Sequence, residues 1–216
     1  MGSRARPLIH VRSCDELLQK MISAEVRAVC FDAFGTLVEI VDKRQPFRKL
    51  VRNHRDLSRS EKILTNPVDL REAARLLSIQ TSEAEIKNLE TDLIAECASI
   101  RLRSGIENTW SAIRHSGKKL AICSNLAQPY GTPLQSALPD QPDATILSYE
   151  AGYIKPNPEI FWLVCNRLGL RPAEVLFVGD TLSADIEGPR RIGMPAMFIS
   201  EFEANLTRIL GGNPGS

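Results

Sequence analysis

The sequence predicts an α/β fold organised around a doubly wound parallel sheet. Five short apolar runs alternate along the chain with longer amphipathic stretches, and glycines follow several of those stretches. This alternation is typical of parallel strands joined by crossover helices, whose right-handed connections place all the strand C-termini at one edge of the sheet. Ligands bind at that edge in such sheets. Polar side chains that follow the apolar runs are therefore the first candidates for function.

The predicted elements follow one another in the order that this fold requires. The five predicted strands are residues 26–32, 119–124, 144–148, 175–179 and 196–200. A short helix at 13–24, with Ser13 as its cap, precedes the first strand. The helices between the later strands are predicted at about 107–116, 158–168 and 183–192, each followed by a glycine that favours helix termination.

A long segment between the first two strands carries helix signals. Asn66-Pro67 is predicted to begin one helix, and Ser82 with Glu85 forms the capping-box pattern that begins another. A helical insertion that leaves and rejoins the sheet near its functional edge is suited to close over that edge. The predicted domains are therefore an α/β core at 1–41 and 105–216 and a small helical cap at 42–104.

The composition excludes several classes of protein. Hydrophobic residues make up 43% of the chain and charged residues 25%, as in ordinary globular proteins. The net charge of +1 gives no reason to expect nucleic acid or an anionic membrane as a partner. The five cysteines form no CxxC pair, which favours free thiols in a reducing compartment. Without a secretory signal or an apolar stretch of transmembrane length, we expect a cytoplasmic monomer or homodimer.

Carboxylates, a hydroxyl and a cation stand at or near the ends of the predicted strands. Asp32 ends the first apolar run and is the candidate nucleophile, Ser124 offers a hydroxyl, and Lys155 offers a cation. Asp180 and Asp185 offer carboxylates for a magnesium ion, which prefers oxygen ligands. A carboxylate attacks an anionic group effectively only where it is positioned and where cations neutralise that group. These residue types together predict a magnesium-dependent hydrolase with an aspartate nucleophile.

Four stretches in this order resemble the haloacid dehalogenase (HAD)-like hydrolase superfamily, in the branch with a helical cap between its first two motifs. They are Asp-Ala-Phe-Gly-Thr-Leu, Ala-Ile-Cys-Ser-Asn, Gly-Tyr-Ile-Lys-Pro-Asn-Pro and Gly-Asp-Thr-Leu-Ser-Ala-Asp, within residues 26–199. The resemblance implies a Rossmann-like core and a small phosphorylated substrate.

The same resemblance implies roles for individual residues. Asp32 would be the nucleophile, Ser124 and Lys155 would bind the phosphate during catalysis, and Mg²⁺ would be the cofactor. The implied metal ligands are Asp32, the backbone carbonyl of Phe34 and Asp180, with Asp185 orienting the metal's waters or Lys155. The residues predicted to contact the substrate are Phe34, Gly35, Thr36, Asn125 and Lys155.

Phe34 departs from the pattern of the family's phosphatases. Those enzymes carry an aspartate at this position, which protonates the leaving group and later activates water. Phenylalanine cannot transfer a proton, and general acid–base catalysis is typically worth about 10²–10⁴-fold. The sequence therefore predicts a phosphatase that forms an aspartyl-phosphate at Asp32 but is slow or restricted to good leaving groups.

Two alternatives stay open at this point. The first motif is also similar to that of the 2-haloacid dehalogenases, which carry an aromatic residue at the position of Phe34. Halide leaves without a proton, and those enzymes use no metal, whereas Asp180 belongs to the magnesium-type pattern. The second alternative is a catalytically weak or inactive protein that binds a phosphorylated ligand without turnover.

Overall fold

The structure is a computed structural model that describes residues 26–51 and 57–209. The helix predicted at 13–24 lies outside the described residues. The described strands are β1 (Ala28–Phe31), β2 (Val38–Ile40), β3 (Ile100–Leu102), β4 (Lys119–Ser124), β5 (Ala144–Leu147), β6 (Val175–Gly179) and β7 (Ala196–Phe198). The described α-helices are α1 (Pro46–Val51), α2 (Leu57–Leu64), α3 (Leu70–Leu76), α4 (Glu83–Ala98), α5 (Ile106–His115), α6 (Gly131–Ala137), α7 (Ser148–Ala151), α8 (Pro158–Leu168), α9 (Gly188–Arg191) and α10 (Ile199–Ile209).

Five of these strands form one parallel sheet, in the spatial order β5-β4-β1-β6-β7. Phe31 of β1 lies opposite Ile122 of β4 and opposite Val178 of β6. The predicted α/β class and parallel sheet are therefore confirmed. Because β1 lies at the centre and the register aligns the ends of its two neighbours, residues that follow these three strands lie side by side.

Helices cover both faces of the sheet, which explains why its strands are apolar at nearly every position. Phe31 faces one layer, where its ring meets the ring of Phe202 edge-on with the centroids 5.5 Å apart. Cys30, the preceding residue, faces the opposite layer, which contains Phe161 of α8. Neighbouring residues of one strand thus belong to different apolar layers, as a doubly wound sheet requires.

Three elements have the predicted bounds, and others differ from them. The strands Lys119–Ser124 and Val175–Gly179 and the helix Pro158–Leu168 lie where the sequence places them. The single helix predicted at 183–192 was wrong, because Leu182–Glu187 is a π-helix that precedes α9. Pro189 has no N–H group to donate, so a regular helical ladder cannot run through it.

The last predicted strand, 196–200, is shorter than expected. It ends at Phe198, and α10 begins at Ile199. Ile199 and Phe202 are both buried in the same apolar layer. A spacing of three residues brings side chains together on a helix and separates them on a strand, so packing favours the helix here.

The chain between β1 and β4 forms α1 to α4 and a two-stranded antiparallel ribbon that was not predicted. In this ribbon Val38 of β2 pairs with Leu102 of β3, and Ile40 pairs with Ile100. Since β3 lies within 42–104, the expectation of helices alone was wrong for that part of the segment. Strands of three residues carry too little periodicity to be recognised in a sequence, and this pair is defined by partners far apart along the chain.

The two helix starts predicted in this segment had different outcomes. Ser82 caps α4 as predicted: its hydroxyl accepts from the N–H of Glu85 over 3.2 Å, and the Glu85 carboxylate accepts from the N–H of Ser82 over 2.8 Å. The prediction that Asn66-Pro67 begins the preceding helix was wrong, because Asp69 caps α3 in a capping box of its own. The Asp69 carboxylate satisfies a free N–H group in the first turn of α3, which a residue three positions earlier cannot reach.

Within the described residues, no helix has both the length and the apolar character that crossing a membrane requires. Cys30, Cys97, Cys123 and Cys165 are free thiols, in agreement with the prediction, and Cys14 lies outside the described residues. The described part of the fold is thus stabilised by its apolar layers without a disulfide among these four cysteines.

Candidate active site

Three of the polar residues singled out in the sequence lie at the C-terminal edge of the sheet. Asp32 directly follows β1, and its N–H donates to the carbonyl of Val178 over 2.9 Å, which continues the pairing of β1 with β6. Ser124 is the last residue of β4, and Asp180 follows the last residue of β6. The strand order β4-β1-β6 therefore brings a hydroxyl and two carboxylates to one place.

Lys155 reaches the same edge from the loop between α7 and α8. Its Nζ lies 2.6 Å from Oδ1 of Asp32 and 2.6 Å from Oδ1 of Asp185. The Ser124 hydroxyl donates to the same Oδ1 of Asp32 over 3.3 Å. The Lys155 side chain is 2% exposed, and both carboxylates are buried with it. These three charged residues form a buried triad in which two carboxylates share one cation.

Burial and charge act against each other in this triad. Burial alone lowers the pKa of Lys155, but the Asp32 and Asp185 carboxylates outweigh it, so the pKa of the ammonium is raised above its usual value. Burial raises the pKa of Asp32 above its usual value, and the contact with Lys155 opposes that rise without cancelling it. Because opposite charges at this distance favour each other's charged forms, Lys155 is held as an ammonium that favours an ionised Asp32.

Asn125 fixes the backbone of the loop that carries Lys155. Its Nδ2 donates to the carbonyl of Lys155 over 2.9 Å, and its Oδ1 accepts from the N–H of Lys155 over 2.8 Å. Since Asn125 follows Ser124 directly, the hydroxyl and the ammonium are positioned by the same turn of chain. The Asn125 amide is thus engaged with the backbone, and its contact with a substrate stays a prediction.

Asp32, Asp180 and Asp185 form a cluster that could hold a metal ion, because each offers a carboxylate oxygen within 4.8 Å of the others. Magnesium prefers such oxygen ligands, so this donor set fits that ion. Oδ2 of Asp185 accepts from the N–H groups of Asp180 over 3.2 Å and Thr181 over 2.9 Å, while its Oδ1 contacts Lys155. Both oxygens of Asp185 are therefore engaged, whereas Asp180 is exposed.

Gly35 allows the loop after β1 to approach Asp180. Its φ of +88° lies in the left-handed region, and a Cβ built on it would lie 2.1 Å from Oδ2 of Asp180. The neighbouring Thr36 is fully buried, and its hydroxyl has no hydrogen-bond partner among the described residues. Contacts of Gly35 and Thr36 with a substrate, and of the Phe34 carbonyl with a metal, stay predictions.

Phe34 forms part of the wall of a cavity beside this cluster. Its half-buried ring meets the ring of Tyr130 edge-on, with the centroids 6.1 Å apart. Phe34, Phe47, Asn125 and Tyr130 are among the residues that line the cavity, whose volume is about 370 Å³. Because Phe34 and Asn125 each lie within two residues of Asp32 or Ser124, the cavity adjoins the polar cluster.

Glu96 of α4, which was not among the residues predicted from the sequence, also lines this cavity. It is 3% exposed, and its carboxylate accepts from the Tyr130 hydroxyl over 2.6 Å, from the N–H of Gln45 over 2.5 Å and from the N–H of Arg44. Glu96 thus links α4 to the segment before α1 and to Tyr130. A glutamate near the end of a helix is usually solvated, so the sequence carries little signal for this role.

Known proteins are similar to this chain over most of its length. The family model of the haloacid dehalogenase-like hydrolases matches residues 26–193. The chain is similar to N-acylneuraminate-9-phosphatase from Homo sapiens, with 24% identity over 187 residues that cover 87% of this chain and 67% of that relative. The chain thus spans about two thirds of the length of that phosphatase.

Two solved structures share the fold. One is a HAD family enzyme from Bacteroides thetaiotaomicron in complex with magnesium and inorganic phosphate, with a TM-score of 0.59, 20% identity, and coverage of 80% of this chain and 93% of that one. The other is a dehalogenase, with a TM-score of 0.56, 22% identity, and coverage of 80% and 84%. At these identities both establish the fold alone.

Proposed function

The chain belongs to the haloacid dehalogenase-like hydrolase family, and from this premise we propose that it is a magnesium-dependent phosphatase of small phosphate esters. One observation carries the proposal: the ammonium of Lys155 contacts both Asp32 and Asp185, and a carboxylate oxygen of Asp180 lies within 4.8 Å of theirs. This set supplies a nucleophile, a cation and metal ligands for an anionic group in transfer. The similarity to N-acylneuraminate-9-phosphatase supports it.

Asp32 is the proposed nucleophile. A carboxylate oxygen forms a bond to phosphorus while the bond from phosphorus to the leaving-group oxygen breaks, which yields an aspartyl-phosphate and the leaving-group anion. Ser124 and Lys155, which both contact Asp32, donate hydrogen bonds to the phosphoryl oxygens. Water then attacks phosphorus, the bond to Asp32 breaks, and inorganic phosphate is released.

Asp32 and Asp180, with the carbonyl of Phe34, are the proposed magnesium ligands. When bound there, the ion neutralises charge on the phosphoryl oxygens. Asp185 is proposed as a positioning residue, since one of its oxygens contacts Lys155 and the other accepts from the N–H groups of Asp180 and Thr181. Residues 42–104 are the proposed cap, and the remaining segments are the proposed core.

The dehalogenase alternative is favoured by one residue and opposed by another. Phe34 suits a halide, which leaves without accepting a proton. Asp180 opposes this alternative. Its carboxylate lies within 4.8 Å of those of Asp32 and Asp185, and it would have no role there in a metal-free site. We therefore place the phosphatase first.

The test of the proposed function is hydrolysis of 4-nitrophenyl phosphate with magnesium and with a chelator. We expect magnesium-dependent turnover by the wild type and a loss of at least about 10³-fold in Asp32→Asn, because the amide is not a nucleophile. Asp140→Asn is the matched control, since Asp140 is an exposed residue before β5, at the opposite edge of the sheet. Absence of turnover in the wild type overturns the proposal. Halide release in the presence of chelator would then assign the dehalogenase, and tight binding of phosphate esters alone would assign the binding protein.

Phe34→Asp is expected to raise kcat/KM for an alkyl phosphate by about 10²-fold, the lower end of the range for general acid–base catalysis. An alkyl leaving group needs the proton that phenylalanine cannot supply. Phe34→Asn is the control, because it matches the shape of aspartate without its acidity. Equal rates for the two variants would contradict the proposed loss of a proton donor at this position.

A further inference from the structure

The cavity beside Asp32 is lined largely by apolar side chains. Among the described residues, its apolar wall includes Phe34, Ile40, Phe47, Val51, Ile63 and Tyr130. These residues come from both sides of the boundary between the proposed core and the proposed cap. An apolar wall gains free energy by removing apolar ligand surface from water, and it offers no hydrogen bonds to hydroxyl groups.

Most polar side chains at the cavity are engaged with the protein, whereas Ser60 and Arg48 line it from exposed positions. Glu96 accepts hydrogen bonds from three donors, and both ends of the Asn125 amide contact the backbone of Lys155. Arg48 donates from Nη1 to Oε1 of Gln45 over 3.1 Å. A sugar or glycerol leaving group would exchange its bonds to water for few bonds to these residues, so the cavity disfavours it.

The size of the cavity suits more than one ring. An apolar cavity of about 150 Å³ admits a benzene molecule. The cavity here has a volume of about 370 Å³. Its volume is therefore sufficient for two fused rings, and Phe34, Phe47 and Tyr130 line it with aromatic side chains.

The missing proton donor points to the same class of leaving group independently. An alkyl alcohol has a pKa near that of water, about 15.7, whereas a phenol has a pKa of about 10. A phenolate therefore leaves as an anion far more readily than an alkoxide. Phe34 cannot donate a proton to the leaving group, and its ring forms part of the apolar wall. This one side chain therefore favours an aryl leaving group in two ways.

We propose that the substrate of this site is an aryl phosphate monoester whose leaving group is an uncharged, fused or extended aromatic ring. The inference rests on the proposed function and names its substrate class. The phosphoryl group lies at Asp32, Ser124 and Lys155, and the rings lie in the cavity between Phe34 and α2. The products are inorganic phosphate and a phenol.

The experiment compares 2-naphthyl phosphate with phenyl phosphate, whose leaving groups differ in size but little in acidity. We expect kcat/KM to be at least about tenfold higher for the naphthyl ester in the wild type, a typical gain from extra apolar contact in a pocket. Ile63→Thr is expected to remove most of this advantage. Ile86→Thr is the control, because Ile86 is buried in the same apolar cluster as Ile63 but does not line the cavity.

A second measurement separates this inference from the proposed function. Calorimetric titration of Asp32→Asn with the two esters reports ring binding without turnover. Magnesium-dependent hydrolysis of both esters at equal kcat/KM overturns the substrate class and leaves the phosphatase standing. Tighter binding of the naphthyl ester without hydrolysis in the wild type overturns the phosphatase and supports the apolar ring site. If neither ester is hydrolysed and the naphthyl ester does not bind more tightly, both the phosphatase and the substrate class are overturned.

Discussion

Lys155→Met is expected to lower kcat/KM for an aryl phosphate by about 10⁴-fold, as removal of a phosphate-neutralising cation does in other phosphoryl-transfer enzymes. We also expect the free energy of unfolding to fall by about 3–5 kcal/mol, the cost of removing one partner from a buried ion pair. Both effects have one cause. The ammonium lies 2.6 Å from carboxylate oxygens of Asp32 and Asp185, and without it these two buried carboxylates face each other uncompensated.

Urea unfolding in the presence of chelator measures the change in the free energy of unfolding. Steady-state kinetics with magnesium measures the change in kcat/KM. Lys119→Met is the matched control, because Lys119 is an exposed residue at the other end of β4, and its Nζ donates to the carbonyl of Leu168 over 2.8 Å. We expect that control to stay within about 1 kcal/mol of the wild type and to keep full activity. An unchanged unfolding free energy in Lys155→Met would contradict the buried triad, and retained turnover would contradict the role of the cation.

Gly35→Ala is expected to weaken magnesium binding by about 10–100-fold, the usual effect of disturbing the residues that support a metal ligand. The added Cβ would lie 2.1 Å from Oδ2 of Asp180, so that carboxylate must move away from its present position. Calorimetric titration with magnesium alone measures the affinity directly. The magnesium dependence of turnover should shift to higher concentration by the same factor.

The control for this variant separates backbone strain from the clash. Gly193 has a φ of +82°, close to that of Gly35, but a Cβ built on it meets nothing within 4 Å. Gly193→Ala therefore carries the same left-handed strain, about 1–2 kcal/mol, without touching the site. If both variants bound magnesium equally well, the close approach of Gly35 to Asp180 would have no bearing on the metal.

The sequence was sufficient to place three of the candidate residues at one edge of the sheet. Asp32, Ser124 and Asp180 each stand at the end of an apolar run, and parallel strands place such ends at one edge. Lys155 does not end a strand, so periodicity gives no position for it. Its placement depends on Asn125, which holds its backbone, and on Asp185, which shares its charge.

Other features were beyond a single sequence because their partners are distant. The ribbon of β2 and β3 consists of two three-residue strands that become recognisable only when paired. The carboxylate of Glu96 is buried because it accepts from Arg44, Gln45 and Tyr130, which lie far from it along the chain. The cavity beside Phe34 likewise depends on how the packed helices meet the sheet edge, which no local pattern encodes.

The ribbon has a consequence for how proteins with this architecture diversify. Ile40 pairs with Ile100, so the two ends of the segment between them are held side by side at this pair of strands. The β2–β3 pairing is made by backbone hydrogen bonds, which do not depend on the sequence of the segment between the strands. The entropic cost of closing a loop also grows only slowly with its length. Insertions or exchanges between Ile40 and Ile100 therefore need not alter the paths of β1 and β4. We therefore expect homologues to vary most in length between these two positions, which an alignment of their sequences would measure.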